Sequence, residues 1–213
     1  MQEAWKILCE REHARYISTA AAHLSPTDTF YSTARSLQNR ASNRYNNILA
    51  YDRTAVLSSA GYLNANVISD GRQWWVASQA PTPQTFPLFW QTIYERRASR
   101  HPLLNGTATG ISKTGKVILV QLTGWEENGI IKADRYLASG SFGDVAVKMG
   151  KETWREDIQA NVTELKLNDL DVVHYHFNAW PDHGVPQGDG VEALRRLVLE
   201  VEESREGEVW VHW

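Results

Sequence analysis

The residues best suited to chemistry lie at positions 174–186, in the run His-Tyr-His-Phe-Asn-Ala-Trp-Pro-Asp-His-Gly-Val-Pro. One carboxylate, Asp182, stands two residues from the indole of Trp180. Pro181, Gly184 and Pro186 around it restrict the backbone and forbid regular structure. An acid held on a stiff loop beside an apolar ring is suited to proton donation, because partial burial lifts its pKa from about 3.9 toward neutrality. On residue type alone, a tight turn closed by an Asx-type hydrogen bond from Asp182 is the stronger interpretation. His174 and His176 are two apart, so on a strand they share a face, as a metal pair would. No further ligand cluster accompanies them, and they read as structural. The single cysteine, Cys9, excludes an internal disulfide and any multi-cysteine zinc site and suits a reducing compartment.

A second cluster, Asn43-Arg44-Tyr45-Asn46-Asn47-Ile48-Leu49-Ala50-Tyr51-Asp52, offers a phenol ring that can stack on another flat ring. By itself it reads as an Asn-rich loop. A third stretch, Val209-Trp210-Val211-His212, reads as a buried central strand.

Taken in order, these stretches resemble the cysteine-dependent protein tyrosine phosphatases. The run Trp-Pro-Asp-x-Gly-x-Pro is similar to that family's mobile acid loop, and residues 43–52 to its phosphotyrosine-recognition loop. Further matches are Tyr62-Leu63-Asn64-Ala65, Ala77-Ser78-Gln79-Ala80-Pro81, Phe89-Trp90 and the Glu-bearing hairpin at 126–132. The resemblance implies that Asp182 is the general acid, with Trp180 and Pro181 supporting its loop. Tyr45 would stack on the substrate ring and gauge pocket depth. Asn47 lies near where the family holds the substrate backbone, and Arg44 would tie the loop to the domain. Glu127 would help place the arginine of the phosphate loop, and Lys132 would approach the acid loop on closure.

The sequence departs from the family where the chemistry is done. The family's strand runs through His into Cys, five residues and Arg, a loop whose backbone N–H groups hold the phosphate while the thiolate attacks it. Here His212 is present, Trp213 stands in the nucleophile's slot, and the sequence stops. Ala80 replaces a glycine, at a cost of about 1 kcal/mol if the site needs positive φ. Ala133 replaces a cysteine, and residues 97–116 read as an inserted surface loop or as sequence foreign to the domain.

Two functions are therefore expected. One is a phosphatase, cut short in this sequence, acting on phosphotyrosine-containing proteins through a cysteinyl-phosphate intermediate; the polypeptide as given would be inactive. Cysteine and tryptophan codons differ only at the third base, so a missed splice site or frameshift there would account for the change. The other is a catalytically dead phosphotyrosine-binding or protein-interaction module. Neither implies a metal or cofactor. A net charge of −3 with no basic face argues against nucleic-acid binding, and no apolar run reaches a membrane-spanning length. A cytoplasmic monomer is expected.

These residues must be positioned by one α/β domain over 1–213: a highly twisted mixed sheet flanked by helices, its C-terminal part missing. Residues 1–15 have helical spacing, with Ala4, Ile7, Leu8 and Ala14 on one stripe. A turn or cap cluster follows at 25–28 and a short helix at 30–40, so that 1–40 form the leading helices. Strands are expected at 61–68, 74–82, 117–123, 161–167 and 170–177, and helices at 85–95 and 189–204. The second helix would bury Val191, Leu194, Leu197, Val198 and Val201. The run Ser139-Gly140-Ser141-Phe142-Gly143-Asp144-Val145-Ala146-Val147-Lys148 looks like fragments of a protein kinase. The fragments abut with no room for the intervening hairpin, and no His-Arg-Asp loop occurs, so a polar hairpin is the better reading.

Overall fold

The computed structural model describes residues 2–22, 31–104, 115–181 and 184–213. The main sheet is built from β1 (Ala65–Ser69), β2 (Trp74–Ser78), β3 (Val117–Gln121), β6 (Gly140–Phe142), β7 (Val145–Arg155), β8 (Ala160–Leu167), β9 (Leu170–Phe177) and β10 (Val209–His212). Between β3 and β6, β4 (Glu126–Glu127) and β5 (Ile130–Ile131) form a separate hairpin. The order across the sheet is β1-β2-β10-β3-β9-β8-β7-β6. β10 runs parallel to both β2 and β3, and β3 parallel to β9, while the remaining pairs are antiparallel. The sheet is therefore mixed. Its parallel centre explains why all five residues of β3 are buried, where a one-faced strand would alternate.

Each face of the sheet is covered by a helix. On one side α3 (Phe86–Tyr94) lays Phe89, Trp90 and Ile93 against Val76, Leu119 and Trp210. Pro87 is tolerated because first-turn N–H groups have no intrahelical acceptor. On the other side α4 (Asp189–Ser204) packs Ala193, Leu197 and Val201 against Ile118, Val120 and Val209. The buried stripe is narrower than the five residues expected. Val191 and Val198 are 55% and 52% exposed, and Gly190 and Ala193, which carry little apolar signal, take the helix close to the chain beneath. Arg205 pins the end of α4 by donating to Gln73 Oε1 and to the Trp74 carbonyl.

Four further expectations are set against the structure. The leading helix α1 runs over Gln2–Ala22, seven residues past its expected end. Ala20, Ala21 and Ala22 are strong helix formers, and neither Gly nor Pro intervenes. Ile7 and Leu8 of its stripe are 40% and 53% exposed. The second helix, α2 (Ala34–Gln38), is followed by a 3-10 turn at Arg40–Ser42, and the cap cluster at 25–28 lies outside the described residues. Ala80 is absent from the residues with positive φ, so the expected strain does not arise. In the stretch 97–116, 3-10 turns at Ala98–Arg100 and Pro102–Leu104 bury Ala98 and His101, and 105–114 lie outside the described residues.

The kinase-like run is the β6–β7 hairpin, with Gly143 at φ +63 in its turn and Phe142 packed against Phe86 and Trp90. β7 continues far beyond this hairpin. β6 pairs only with Val145, Ala146 and Val147, and a register shift against β8 falls between Met149 and Glu152.

The parallel pairing of β3 and β10 requires their lead-in segments to touch. A Cβ on Gly207 would stand 2.6 Å from the Lys116 carbonyl oxygen and 2.8 Å from that of Gly115. Gly207→Ala is therefore expected to cost about 1–3 kcal/mol, and Gly140→Ala, on an open edge, less than about 0.5 kcal/mol. Urea melts of the two variants check this, and equal midpoints would refute the close-approach argument.

Candidate functional site

The recognition stretch leaves the 3-10 turn at Arg40–Ser42 and is held from three directions. Asn43 donates from Nδ2 to the Ser36 carbonyl at 3.0 Å. Its Oδ1 accepts from the Tyr62 hydroxyl and from Asn64 Nδ2, both at 2.9 Å. Asn64 Nδ2 also donates to the Ile48 carbonyl, and Asn66 Nδ2 to the Tyr51 carbonyl, each at 2.9 Å. The asparagines of β1 and its approach thus satisfy carbonyls that have no ladder partner. Arg44 donates to the carbonyls of Ala80 at 3.1 Å and Pro81 at 2.9 Å and pairs with Asp134. At the far end, Asp52 accepts from the backbone N–H groups of Ala34 and Arg35, capping α2 from outside.

This bracing presents Tyr45 half-buried and leaves Asn46, Asn47 and Ile48 exposed. Tyr45, Ile48, Leu49, Asn64, Gln79 and Trp213 line one cleft of about 320 Å³. Trp213 comes from the end of β10, where its carbonyl accepts from Ala80 N. Its ring meets that of Trp180 edge-on, with centroids 4.8 Å apart. The structure therefore brings Tyr45, Trp180 and Trp213 together.

Asp182 and His183 lie outside the described residues. The stem on either side is described. Pro181 is exposed, Trp180 Nε1 donates to the Gly184 carbonyl at 3.3 Å, and Gly184 has φ +108. Ala179 and Pro186 pack at Gly190, at the start of α4. Glu127 and Lys132 stand on the β4–β5 hairpin and beside it, and neither lines the cleft. Asp134, two residues beyond Lys132, carries the link from this hairpin to Arg44. Cys9 is exposed on α1.

His212 is fixed by a residue that carries no motif. The buried Tyr136 hydroxyl lies 2.6 Å from His212 Nε2, 2.9 Å from His174 Nε2 and 2.9 Å from Gln121 Oε1. Gln121 donates from Nε2 to the Thr123 carbonyl, so its Oε1 can only accept. A phenol has one proton and two acceptor positions. Tyr136 therefore donates to Gln121, and both imidazoles donate to Tyr136 through Nε2. Their Nδ1 atoms are then lone pairs, and neither finds a partner among the described residues. His176 makes a separate bond to the Thr123 carbonyl at 3.0 Å.

Burial, with repulsion from His176 and Arg44, holds the His212 pKa down to about 3. Burial also pushes His174 well below its usual value and His176 below it, and raises Tyr136. An imidazole lowered in this way takes its proton only on unfolding. Its contribution to stability is complete above about 6.5 and is lost as pH falls toward 3. For His212 alone, with its pKa moved from 6.5 to about 3, the loss between pH 8 and pH 5 is about 2 kcal/mol. Glu208, raised by burial, acts in the opposite sense. Urea melts at pH 8 and pH 5 should show a shallower pH slope for His212→Gln than for the parent. Identical slopes would mean that this imidazole takes up its proton over the same pH range in the folded and unfolded states.

The family model described as "Protein-tyrosine phosphatase" matches residues 39–107 and 110–212. "Tyrosine-protein phosphatase Lar-like" of Caenorhabditis elegans is 29% identical over 164 residues, covering 70% of this chain and 7% of its own length. "Receptor-type tyrosine-protein phosphatase eta" of Gallus gallus is 30% identical over 181 residues, covering 76% of this chain and 12% of its own. The chain thus spans about a tenth of these relatives. A solved structure described as "Structural basis of PTPN18 fingerprint on distinct HER2 tyrosine phosphorylation sites" superposes with a TM-score of 0.66 at 26% identity, over 97% of this chain and 72% of that one.

Proposed function

We propose a function from one premise: the chain belongs to the protein-tyrosine phosphatase family. The function is hydrolysis of phosphotyrosine in proteins. In that reaction a thiolate attacks phosphorus, the bond from phosphorus to the phenol oxygen breaks, and an acid gives the departing phenolate its proton. Asp182 is assigned the acid's role, on a loop steadied by Trp180 and Pro181. Tyr45 is assigned the wall that stacks on the substrate ring, and Asn47, exposed beside it, the contact to the substrate backbone. Arg44, Glu127 and Lys132 support these loops, and His212 leads into the nucleophile position. A domain with one cysteine suits the cytoplasm, the location proposed for it.

One observation carries this reading. Tyr45 and Trp213 line the same cleft, and the acid-loop indole of Trp180 touches Trp213. Three segments far apart in sequence meet at this cleft, which supports assigning them the ring-binding wall, the nucleophile's slot and the stem of the acid loop.

The nucleophile itself is not among the 213 residues. The lone cysteine is Cys9 on α1, and Trp213 occupies the slot. The 213-residue polypeptide is therefore proposed to be inert. With p-nitrophenyl phosphate it should give no turnover above a no-enzyme control. Vanadate-sensitive turnover would overturn the assignment of the slot. In a longer polypeptide in which Cys and, six residues on, Arg follow His212, Asp182→Asn should slow release of a tyrosine leaving group by ~10²–10⁴-fold and leave phosphopeptide binding intact. An unchanged kcat would make Asp182 a turn residue.

A further inference from the structure

The recognition loop closes around a single side chain. Gln79 follows β2 directly and is 7% exposed. Its Oε1 accepts from the backbone N–H of Arg44 at 2.9 Å and, more weakly, from that of Tyr45 at 3.4 Å. Its Nε2 donates to the Ile48 carbonyl at 3.0 Å and to the Tyr45 carbonyl at 3.4 Å. One planar amide thus grips the chain on the N-terminal side of Tyr45 through its oxygen and on the C-terminal side through its nitrogen. Gln79 is itself fixed, because its backbone N–H donates to the Asn64 carbonyl at 3.1 Å.

We propose that Gln79 is the positioning residue of this loop: by bonding both flanks of Tyr45 it sets the attitude of the phenol ring toward a bound aryl group. The inference rests on the reading of Tyr45 as the substrate-stacking wall. The chemistry is specific to glutamine. The loop presents two N–H groups and two carbonyls, so the bridging group must both accept and donate at this length. Leucine has the shape and does neither. Ionised glutamate accepts from the N–H groups but turns a second negative oxygen on the carbonyls of Ile48 and Tyr45. Protonated glutamate donates again.

The glutamate variant therefore makes the loop respond to pH, which loss of packing would not do. The measurement is amide hydrogen exchange on the 213-residue chain, corrected for intrinsic rates, with Val76 and Leu119 as fold controls. In Gln79→Leu the N–H groups of Arg44 and Tyr45 should exchange up to about tenfold faster, with the controls unchanged. In Gln79→Glu exchange should be fast at pH 8, where repulsion from the Ile48 and Tyr45 carbonyls drives the carboxylate away from the loop, and return toward the parent rate at pH 5. Parent-like exchange in the leucine variant, or a glutamate variant indifferent to pH, overturns the proposal. In the longer polypeptide, Gln79→Leu and Tyr45→Ala should both raise KM for a phosphotyrosine peptide and change kcat less than about threefold. If the exchange pattern holds and Tyr45→Ala leaves KM unchanged, the role of Tyr45 fails and the clamp on its backbone stands. If the exchange pattern fails, the clamp fails whatever the kinetics show.

Discussion

The hydroxyl of Tyr136 joins three neighbouring strands. It reaches Gln121 on β3, His174 on β9 and His212 on β10, in a place sealed from water. An unpaired polar group there would cost about 1–3 kcal/mol, so each partner constrains the others. The constraint sets which nitrogen of each imidazole holds its proton, while burial keeps both rings from taking a second. It also places the last residue of β10 at a fixed depth between β2 and β3. The cleft wall formed by Trp213 follows directly from that depth.

The two loops that meet at the cleft are built on different principles. The recognition loop is braced mainly by neutral groups, Ser36, Asn43, Tyr62, Asn64 and Gln79, whose bonds do not respond to pH or salt. The Arg44–Asp134 pair and the Asp52 carboxylate are the charged exceptions, with the arginine side chain only 10% exposed. The described stem of the acid loop has much less. Pro181 is exposed, one 3.3 Å bond links Trp180 to Gly184, and an aromatic edge rests on Trp213. Under the proposed function, a braced recognition loop opposite a lightly held stem suits a site that must admit a substrate and then close on it.

Much of this was legible in the sequence because it is periodic or local. β9 and α4 occupy the expected residues, since alternation and a 3.6-residue period survive without tertiary help. The fully buried β3 was legible from its continuous apolar run. What could not be read depends on distant partners. Tyr136 carries no motif, and only the meeting of three strands gives it a role. Gln79 stood in a matched stretch, but its function lies in loop carbonyls more than thirty positions earlier. Asp134 stands just beyond a hairpin whose Glu and Lys match the family pattern, and nothing local marks it as the partner of Arg44. Helical spacing in α1 says nothing of what covers its apolar residues, and the fold leaves Ile7 and Leu8 exposed.

The length of β7 has a consequence for how copies of this chain behave toward one another. From Lys148 to Arg155 the strand has no strand partner on its outer side among the described residues, because β6 ends its pairing at Val147. A long flat edge of this kind would be a template for cross-chain pairing and aggregation. The register shift between Met149 and Glu152 breaks that flatness, at Gly150, where the Glu164 backbone comes within 3.1 Å of a Cβ position. Lys148 and Lys151 place charge on the same stretch, and Met149 N is occupied by Ser139 Oγ. An irregularity of this kind, with charge beside it, makes an open sheet edge a poorer template for cross-chain pairing.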